Sequence, residues 1–253
     1  MIASLANRKF HHGFLVDAWL KNVVDQGMEI EPIGIMRTCF GEKFAVPRQP
    51  GLCPSAWGRL IFAPRYRGED FVRGIEGFSH LWVIFGFHET SDQEWSPTVR
   101  PPRLGGNERV GVFASRSTFR PNGLGLSLCR LDGVDSDSSG PQLLLGGVDL
   151  VDGTPIYDIK PYLAYCEAPK DAVCGYAAVP PVSLPVSVDS SAAIAFARLP
   201  RRDQQIICEC LALDPRPAAH DDPNRIYGVV ICGVNVRFRV GDTVTIQEIS
   251  PVL

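Results

Sequence analysis

The chain has 253 residues, of which 45% are apolar, and its 25 Lys plus Arg against 28 Asp plus Glu give a formal net charge of −3. That length builds one large domain, or a domain with a small companion. The charge excludes a generally basic nucleic-acid binder, so any grip on a polyanion must be local. The 24 glycines and 21 prolines favour strands and shaped loops over a helix bundle. No apolar run is long enough to span a bilayer, and the N-terminus lacks the apolar core of a signal peptide, so a cytoplasmic protein without a membrane segment is expected. The eight cysteines, at positions 39, 53, 129, 166, 174, 208, 210 and 232, include no Cys-x-x-Cys pair, and Cys208 and Cys210 suit no common zinc spacing. Reduced, mostly buried thiols and no metal site are expected.

Residues 1–28 read as an N-terminal extension. Leu15, Ala18, Trp19 and Val23 recur there at near-helical spacing, which fits a short amphipathic helix; an unstructured extension fits as well. From residue 29 to 166 the chain reads as short strands between turns, over 33–38, 58–62, 80–87, 110–114, 125–131, 143–149 and 156–163. The run His80-Leu81-Trp82-Val83-Ile84-Phe85-Gly86-Phe87 is apolar throughout, as expected of a strand covered on both faces. Many strands without regular intervening helices predict a mainly β fold, a barrel or sandwich. No Gly-x-Gly-x-x-Gly fingerprint is present to suggest a Rossmann domain. Residues 167–190, with Pro180, Pro181 and Pro185, read as a semi-rigid linker. Residues 191–253 read as a small α+β domain. A helix over 201–213 has Ile206, Ile207, Cys210 and Leu211 at core spacing. Asp214-Pro215-Arg216-Pro217 stops that helix, and strands follow at 226–231, 235–240 and 243–249.

The segment from Val99 to Asn122 holds Arg100, Arg103, Arg109, Arg116 and Arg120, opposed only by Glu108. Pro101, Pro102 and Pro121 exclude a helix there. Arginines on stiffened loops suit an anionic or planar ligand, the plain alternative being a solvated loop with salt bridges. Three other stretches accompany it. One is Lys43-Phe44-Ala45-Val46-Pro47-Arg48-Gln49-Pro50-Gly51-Leu52. A second runs from Gly74 into the apolar strand and leaves it at Phe87-His88-Glu89. The third, from Gly147 to Tyr162, is a strand, an acidic turn and a second strand. Asp214-Pro215-Arg216-Pro217 and Asn235-Val236-Arg237-Phe238-Arg239 belong to the C-terminal part.

In this order these stretches resemble the TrmO family (TsaA-like, YaeB), tRNA (adenine(37)-N6)-methyltransferases that depend on S-adenosylmethionine. The resemblance covers about residues 29–253. It implies a TsaA-like β-barrel that binds the cofactor and carries the active site, followed by a small C-terminal domain. It also implies methylation of N6 of threonylcarbamoyl-adenosine in the anticodon loop of tRNA, and a homodimer with active sites near the subunit interface. Composition and spacing alone reach only a β-rich fold with a small second unit. The resemblance places the cofactor against Pro47, Arg48, Gln49, His88, Glu89, Arg116, Leu126, Asp149, Leu150, Val151, Asp152 and Gly153. This chain departs from the family in two places: Gly123 follows Arg120-Pro121-Asn122 where Pro is usual, and Thr38-Cys39-Phe40 stands where Ser-Pro-Tyr is common. Both are changes of loop shape that remove no charge.

The residue types fit this chemistry. Arg48 or Arg116 can pair a carboxylate bidentately, and Asp149 or Asp152 can accept from ribose hydroxyls or an ammonium group. By pattern alone His88 is equally a satisfied histidine at a strand end, and Asp152-Gly153 equally a hairpin turn. An exocyclic adenine amine is a poor nucleophile, so transfer needs in-line placement and an acceptor for the amine proton. Glu89 and Asp149 are the candidate catalytic carboxylates. Arg100, Arg103, Arg109 and Arg120 are candidates for the RNA side. Tyr162, Phe113 and Phe119 either stack on bases or belong to the core, with Phe113 expected in the core. Two other readings fit the same residues: a methyltransferase of this fold acting on another RNA or a small molecule, and a barrel that binds S-adenosylmethionine or RNA without catalysis.

Overall fold

The computed structural model describes residues 28–217 and 222–252. The helix considered around Leu15–Val23 lies outside them. The described residues from Pro32 onward form one compact unit. In chain order the first strands are β1 (Gly34–Thr38), β2 (Trp57–Phe62), β3 (His80–Gly86), the short pair β4 (Thr98–Val99) and β5 (Val110–Gly111), β6 (Leu124–Asp137), β7 (Gly140–Gly146) and β8 (Thr154–Pro161). Six of these close a barrel in the order β1-β2-β7-β6-β3-β8. The ring closes where β1 meets β8 antiparallel, with Gly34 opposite Ile156.

Alternation along the strands fills the interior. Met36, Leu60, Leu81, Val83, Leu143, Leu145 and Ile156 all point inward and are buried. On β3, Leu81, Val83 and Phe85 face inward, while Trp82 and Ile84 are half-buried on the outside. The strand is therefore fully covered on one face rather than both, and Tyr162 supplies part of the outer cover by packing edge-on against Trp82. β6 reverses the simple apolar-in pattern: Ser127 and Cys129 face inward, while Leu126 is 53% exposed. Gly125 beside it is required by close approach, because a Cβ there would lie 2.3 Å from Phe85 Cζ.

The strand expected over 110–114 is cut short. Only Val110 and Gly111 pair with β4, and Val112–Ala114 coil into a 3₁₀ turn. That turn destroys the two-residue alternation, so Val112 is buried while Phe113 is 79% exposed instead of lying in the core. The strand expected to run to Asp149 ends at Gly146, because Gly147 takes φ +68 and turns the chain.

The C-terminal part comprises β9 (Val186–Val188), α2 (Ser190–Ala197), α3 (Arg201–Ala212), β10 (Tyr227–Ile231), β11 (Val234–Val240) and β12 (Val244–Pro251), preceded by a single helical turn, α1 (Ala164–Glu167). The sheet order is β10-β11-β12-β9. β9 lies inside the proline-rich segment read as a linker; its Val-Ser-Val pairs in parallel with β12, a partnership made by tertiary contact rather than local sequence. α3 buries Ile206, Ile207, Cys210 and Leu211 as its spacing predicts. It stops before Asp214, which takes φ +48.

The helix is clamped to the barrel through Glu209, whose carboxylate accepts from Ser55 N (2.9 Å) and Ser55 Oγ (2.8 Å). One continuous apolar core runs through barrel and C-terminal sheet. The eight cysteines are free; Cys39, Cys53, Cys129 and Cys210 are buried, whereas Cys166 and Cys174 are exposed. Among the described residues no helix is long and apolar enough to cross a membrane.

Leu143→Ala, which empties a fully buried interior position, is expected to destabilise the protein by about 2–5 kcal/mol in equilibrium urea unfolding. A loss below about 1 kcal/mol would mean that this part of the barrel interior is not close-packed.

Candidate functional site

The antiparallel pairings place three connections at one rim of the barrel. β1 and β3 both run antiparallel to β8, so the ends of β1 and β3 lie beside the start of β8. The connections 39–56, 87–123 and 147–153 therefore emerge together. These three, with the first residues of β6, hold every residue that the family resemblance assigns to the cofactor. Tyr162 follows the far end of β8. It packs edge-on against His80 and Trp82 and is not brought to this rim.

Side-chain contacts tie the loops to one another. Arg116 donates to Gln49 Oε1, and Gly51 N donates to Gly147 O at 2.8 Å. Lys43 Nζ donates to Glu89 O at 3.0 Å and lies 3.7 Å from the Glu89 carboxylate. Pro47 is buried, while Arg48, His88, Glu89 and Arg116 are exposed. Ala45 is held at φ +65 within the first loop, a conformation that costs a non-glycine residue about 1–2 kcal/mol and persists only where surrounding packing enforces it.

Asp149 is the most perturbed carboxylate of the rim. Protein surrounds it, yet part of its side chain remains open. Burial pushes its carboxyl up to about 6; the Ser127 hydrogen bond and the charge of Arg116 pull the other way. Ser127 Oγ donates to Asp149 Oδ1 at 2.6 Å, and the neighbouring Cys129 thiol is held well above its ordinary value by burial and by the Asp149 charge. Ser127 belongs to none of the motifs that carry the family resemblance. The available signal was a polar residue on the same face of a strand as Cys129 and opposite to three leucines, which a hydrophobicity argument assigns to solvent.

Asp152 is committed to local structure. Its carboxylate accepts from Thr38 N (2.8 Å) and from Arg37 Nε (2.8 and 3.1 Å), while its own N–H donates to Phe40 O and that of Gly153 to Met36 O. Gly153 takes φ +80, so the Asp-Gly turn is real. These bonds pin turn 149–153 to β1. Leu150 is buried and Val151 is half-buried.

The arginine segment is shaped at both ends, by the β4–β5 pair and by Phe87 N donating to Gly123 O at 2.8 Å. Arg103 Nη1 donates to Val179 O (2.8 Å), Arg109 Nη1 to Thr98 Oγ1 (2.9 Å) and Arg120 Nη1 to Ser115 O (3.2 Å). None of these three bonds is to a carboxylate, so the guanidinium charge is not neutralised by them; Arg100 is exposed. Gly123 takes φ +56, which a proline ring forbids. The departure from the family's Pro thus gives this turn a different backbone shape, not merely a looser one. Beside it lies a cleft of about 440 Å³ lined by Phe87, His88, Trp95, Phe119, Arg120 and Tyr157, among others. Trp95 is 57% exposed. The lining mixes the rings of Phe87, Trp95, Phe119 and Tyr157 with polar side chains such as Gln93, Thr118 and Asn122, and its guanidinium and imidazole suit a planar ligand that carries an anionic group.

Comparison with known proteins gives a consistent result. Residues 35–168 match the family model of the tRNA-methyltransferase O N-terminal domain, and residues 181–252 match that of the TrmO C-terminal domain. A tRNA (adenine(37)-N6)-methyltransferase of Escherichia coli is 49% identical over 220 residues, covering 85% of this chain and 94% of that protein. A Pseudomonas aeruginosa protein that carries S-adenosylmethionine-dependent methyltransferase in its name is 44% identical over 83% of this chain and 91% of its own length. The crystal structure of TrmO from P. aeruginosa superposes with a TM-score of 0.73 at 36% identity, covering 88% of this chain and 98% of that one.

The raised Asp149 carboxyl makes a prediction about stability. The unfolded chain ionises there near 3.8 and the folded chain near 6, so the contribution of this group to stability is complete below about pH 4 and is lost as pH rises through about 6. Asp149→Asn, neutral and isosteric, is expected to raise Tm above wild type at pH 7.5, and the gain should vanish toward pH 4. A difference in melting that stays constant across that range would exclude Asp149 as the titrating group.

Proposed function

The chain belongs to the tRNA-methyltransferase O family, and from that premise we propose that it methylates N6 of adenosine 37 in tRNA, in the threonylcarbamoyl-modified form, at the barrel rim. The observation that carries this reading is the convergence of Gln49, Arg116, Asp149 and Ser127 from four separate stretches of sequence. Bound S-adenosylmethionine supplies a methyl group already activated by its sulfonium.

The residues present fit that group. Its carboxylate needs a guanidinium, and Arg116 offers one oriented by Gln49. Its ribose hydroxyls need an acceptor, and the partly open carboxylate of Asp149 offers one, fixed by Ser127. Its adenine needs an apolar surface, and Leu126 stands exposed on β6. His88, Arg48 and the backbone of Leu150 and Val151 complete the wall. Asp152 and Gly153 hold the turn in place through β1.

Of the two candidate carboxylates, Asp149 is the better proton acceptor for the amine. It is ionised at neutral pH yet holds a proton more readily than an ordinary aspartate, whereas Glu89 is exposed and paired with Lys43. On the substrate side, Arg100, Arg103, Arg109 and Arg120 face phosphates and the threonylcarbamoyl carboxylate, and Arg120 lines the cleft itself. The exposed rings of Trp95, Phe113 and Phe119 offer stacking surfaces for splayed bases of the anticodon loop. A homodimer acting in the cytoplasm belongs to the same reading.

Three measurements test it. Labelled S-adenosylmethionine and tRNA with the threonylcarbamoyl group should yield N6-methylated nucleoside, and tRNA lacking that group much less. Equal rates would overturn the substrate form, and no product from either tRNA would leave a binding protein. Arg116→Ala should weaken calorimetric S-adenosylmethionine affinity by about tenfold or more, as loss of a charged hydrogen-bond partner implies; unchanged affinity would remove it from the site. Arg103→Ala and Arg120→Ala should each raise KM for tRNA about three- to tenfold at low salt and flatten its salt dependence. Wild-type KM at both low and high salt would make these arginines bystanders.

A further inference from the structure

The segment 39–50 has two faces. One meets the rim, through Lys43 on Glu89 and Gln49 on Arg116. The other meets the C-terminal sheet along the outer edge of β10. Cys232 N donates to Cys39 O at 2.8 Å, and Phe40 forms an isolated antiparallel bridge with Ile231. Glu42 Oε1 accepts from Val230 N at 2.7 Å. Phe44 then lies nearly parallel to Tyr227 and Phe238, with ring centroids 6.3 and 6.4 Å away. β10 is an edge strand, and an edge strand exposes unpaired backbone groups unless something covers it; here the loop does.

Within the loop itself the backbone bonding is sparse: Val46 N to Lys43 O is long, at 3.4 Å, and Ala45 sits at positive φ. A loop that makes few bonds of its own takes its shape from its neighbours. Asp214, just after α3, adds an electrostatic contact: Arg216 grips its carboxylate at 2.8 Å, and the charge of Arg48 reaches it as well.

We propose that the C-terminal sheet is a positioning element of the cofactor site, acting through Phe44. The aromatic seat formed by Tyr227 and Phe238 fixes Phe44, Phe44 fixes the loop, and the loop presents Pro47, Arg48 and Gln49 to the cofactor and orients Arg116. Phe44 is a positioning residue, not a catalytic one. It touches the C-terminal sheet and reaches the site only through the backbone that carries Gln49. The proposal rests on the reading of this rim as the S-adenosylmethionine site.

The test uses the full-length chain and three variants: Phe44→Ala, Phe44→Leu and Arg116→Ala. Each is characterised by thermal melting, by calorimetric affinity for S-adenosylmethionine, and by KM for that cofactor and kcat at saturation. Phe44→Ala is expected to raise both the dissociation constant and KM for the cofactor about tenfold, with kcat at saturating cofactor within about twofold of wild type, because a misplaced loop loses binding geometry rather than chemistry. Phe44→Leu, which keeps an apolar plug in the seat, should restore most of the affinity.

If Phe44→Ala does not fold, Glu42→Ala replaces it, with a loss of about threefold expected from one deleted hydrogen bond. Unchanged affinity in the variant that folds, or a fall in kcat with affinity intact, overturns the proposal. If Arg116→Ala leaves affinity unchanged, the site reading fails. If Arg116→Ala weakens binding and the loop variant does not, only the positioning role fails.

Discussion

Closure of the barrel is the constraint on which the rest depends. A strand at an open edge leaves a row of amides and carbonyls without partners, and pairing β1 with β8 removes both edges at once. A closed ring of six strands encloses an interior only wide enough for its own side chains, and Met36, Leu60, Leu81, Leu143 and Ile156 occupy it. The residues proposed to hold the cofactor are at the rim, where the antiparallel order brings three connections of very different length to one end. The longest, 87–123, carries the arginines; the shortest, 147–153, carries Asp149.

The rim partly excludes water around Asp149. Asp149 lies deep enough that burial raises its carboxyl, and Ser127 from inside the barrel wall holds one of its oxygens. A carboxylate in such a place is oriented before any ligand arrives, which lowers the cost of reorganisation during reaction. The guanidinium of Arg116 is treated in the same way by Gln49. By contrast, Arg37–Asp152 and Arg59–Asp135 are exposed pairs, which in water contribute little to stability. Asp152 matters because its oxygens take the Thr38 amide and so fasten the acidic turn to β1.

The C-terminal sheet shares the apolar core of the barrel, and its edge strand is covered by the loop that bears Pro47, Arg48 and Gln49. Packing of this kind is the physical basis of the proposed positioning of the loop by the sheet. The coupling is mechanical in origin: aromatic rings and a β-bridge admit few alternative arrangements, so the loop inherits the rigidity of the sheet.

The strands were legible in the sequence because alternation and turn residues act locally, and α3 was legible because Ile206, Ile207, Cys210 and Leu211 repeat at 3.6-residue spacing. The arginine segment was legible as a stiff loop because proline and glycine act on their own backbone. Residues that meet only after folding were beyond its reach. β9 is a strand because β12 lies beside it. Phe113 is exposed because a 3₁₀ turn replaced an expected strand, and Ser127 faces inward because pairing with β3 and β7 sets the register of β6. By itself, then, the sequence determined most of the barrel strands, helix α3, the chemistry of the loops and, through several ordered motifs, the family. Tertiary structure alone decided which charges are neighbours, which carboxylate is desolvated and which loop leans on which sheet. Those properties depend on distances across the barrel, which no local periodicity encodes.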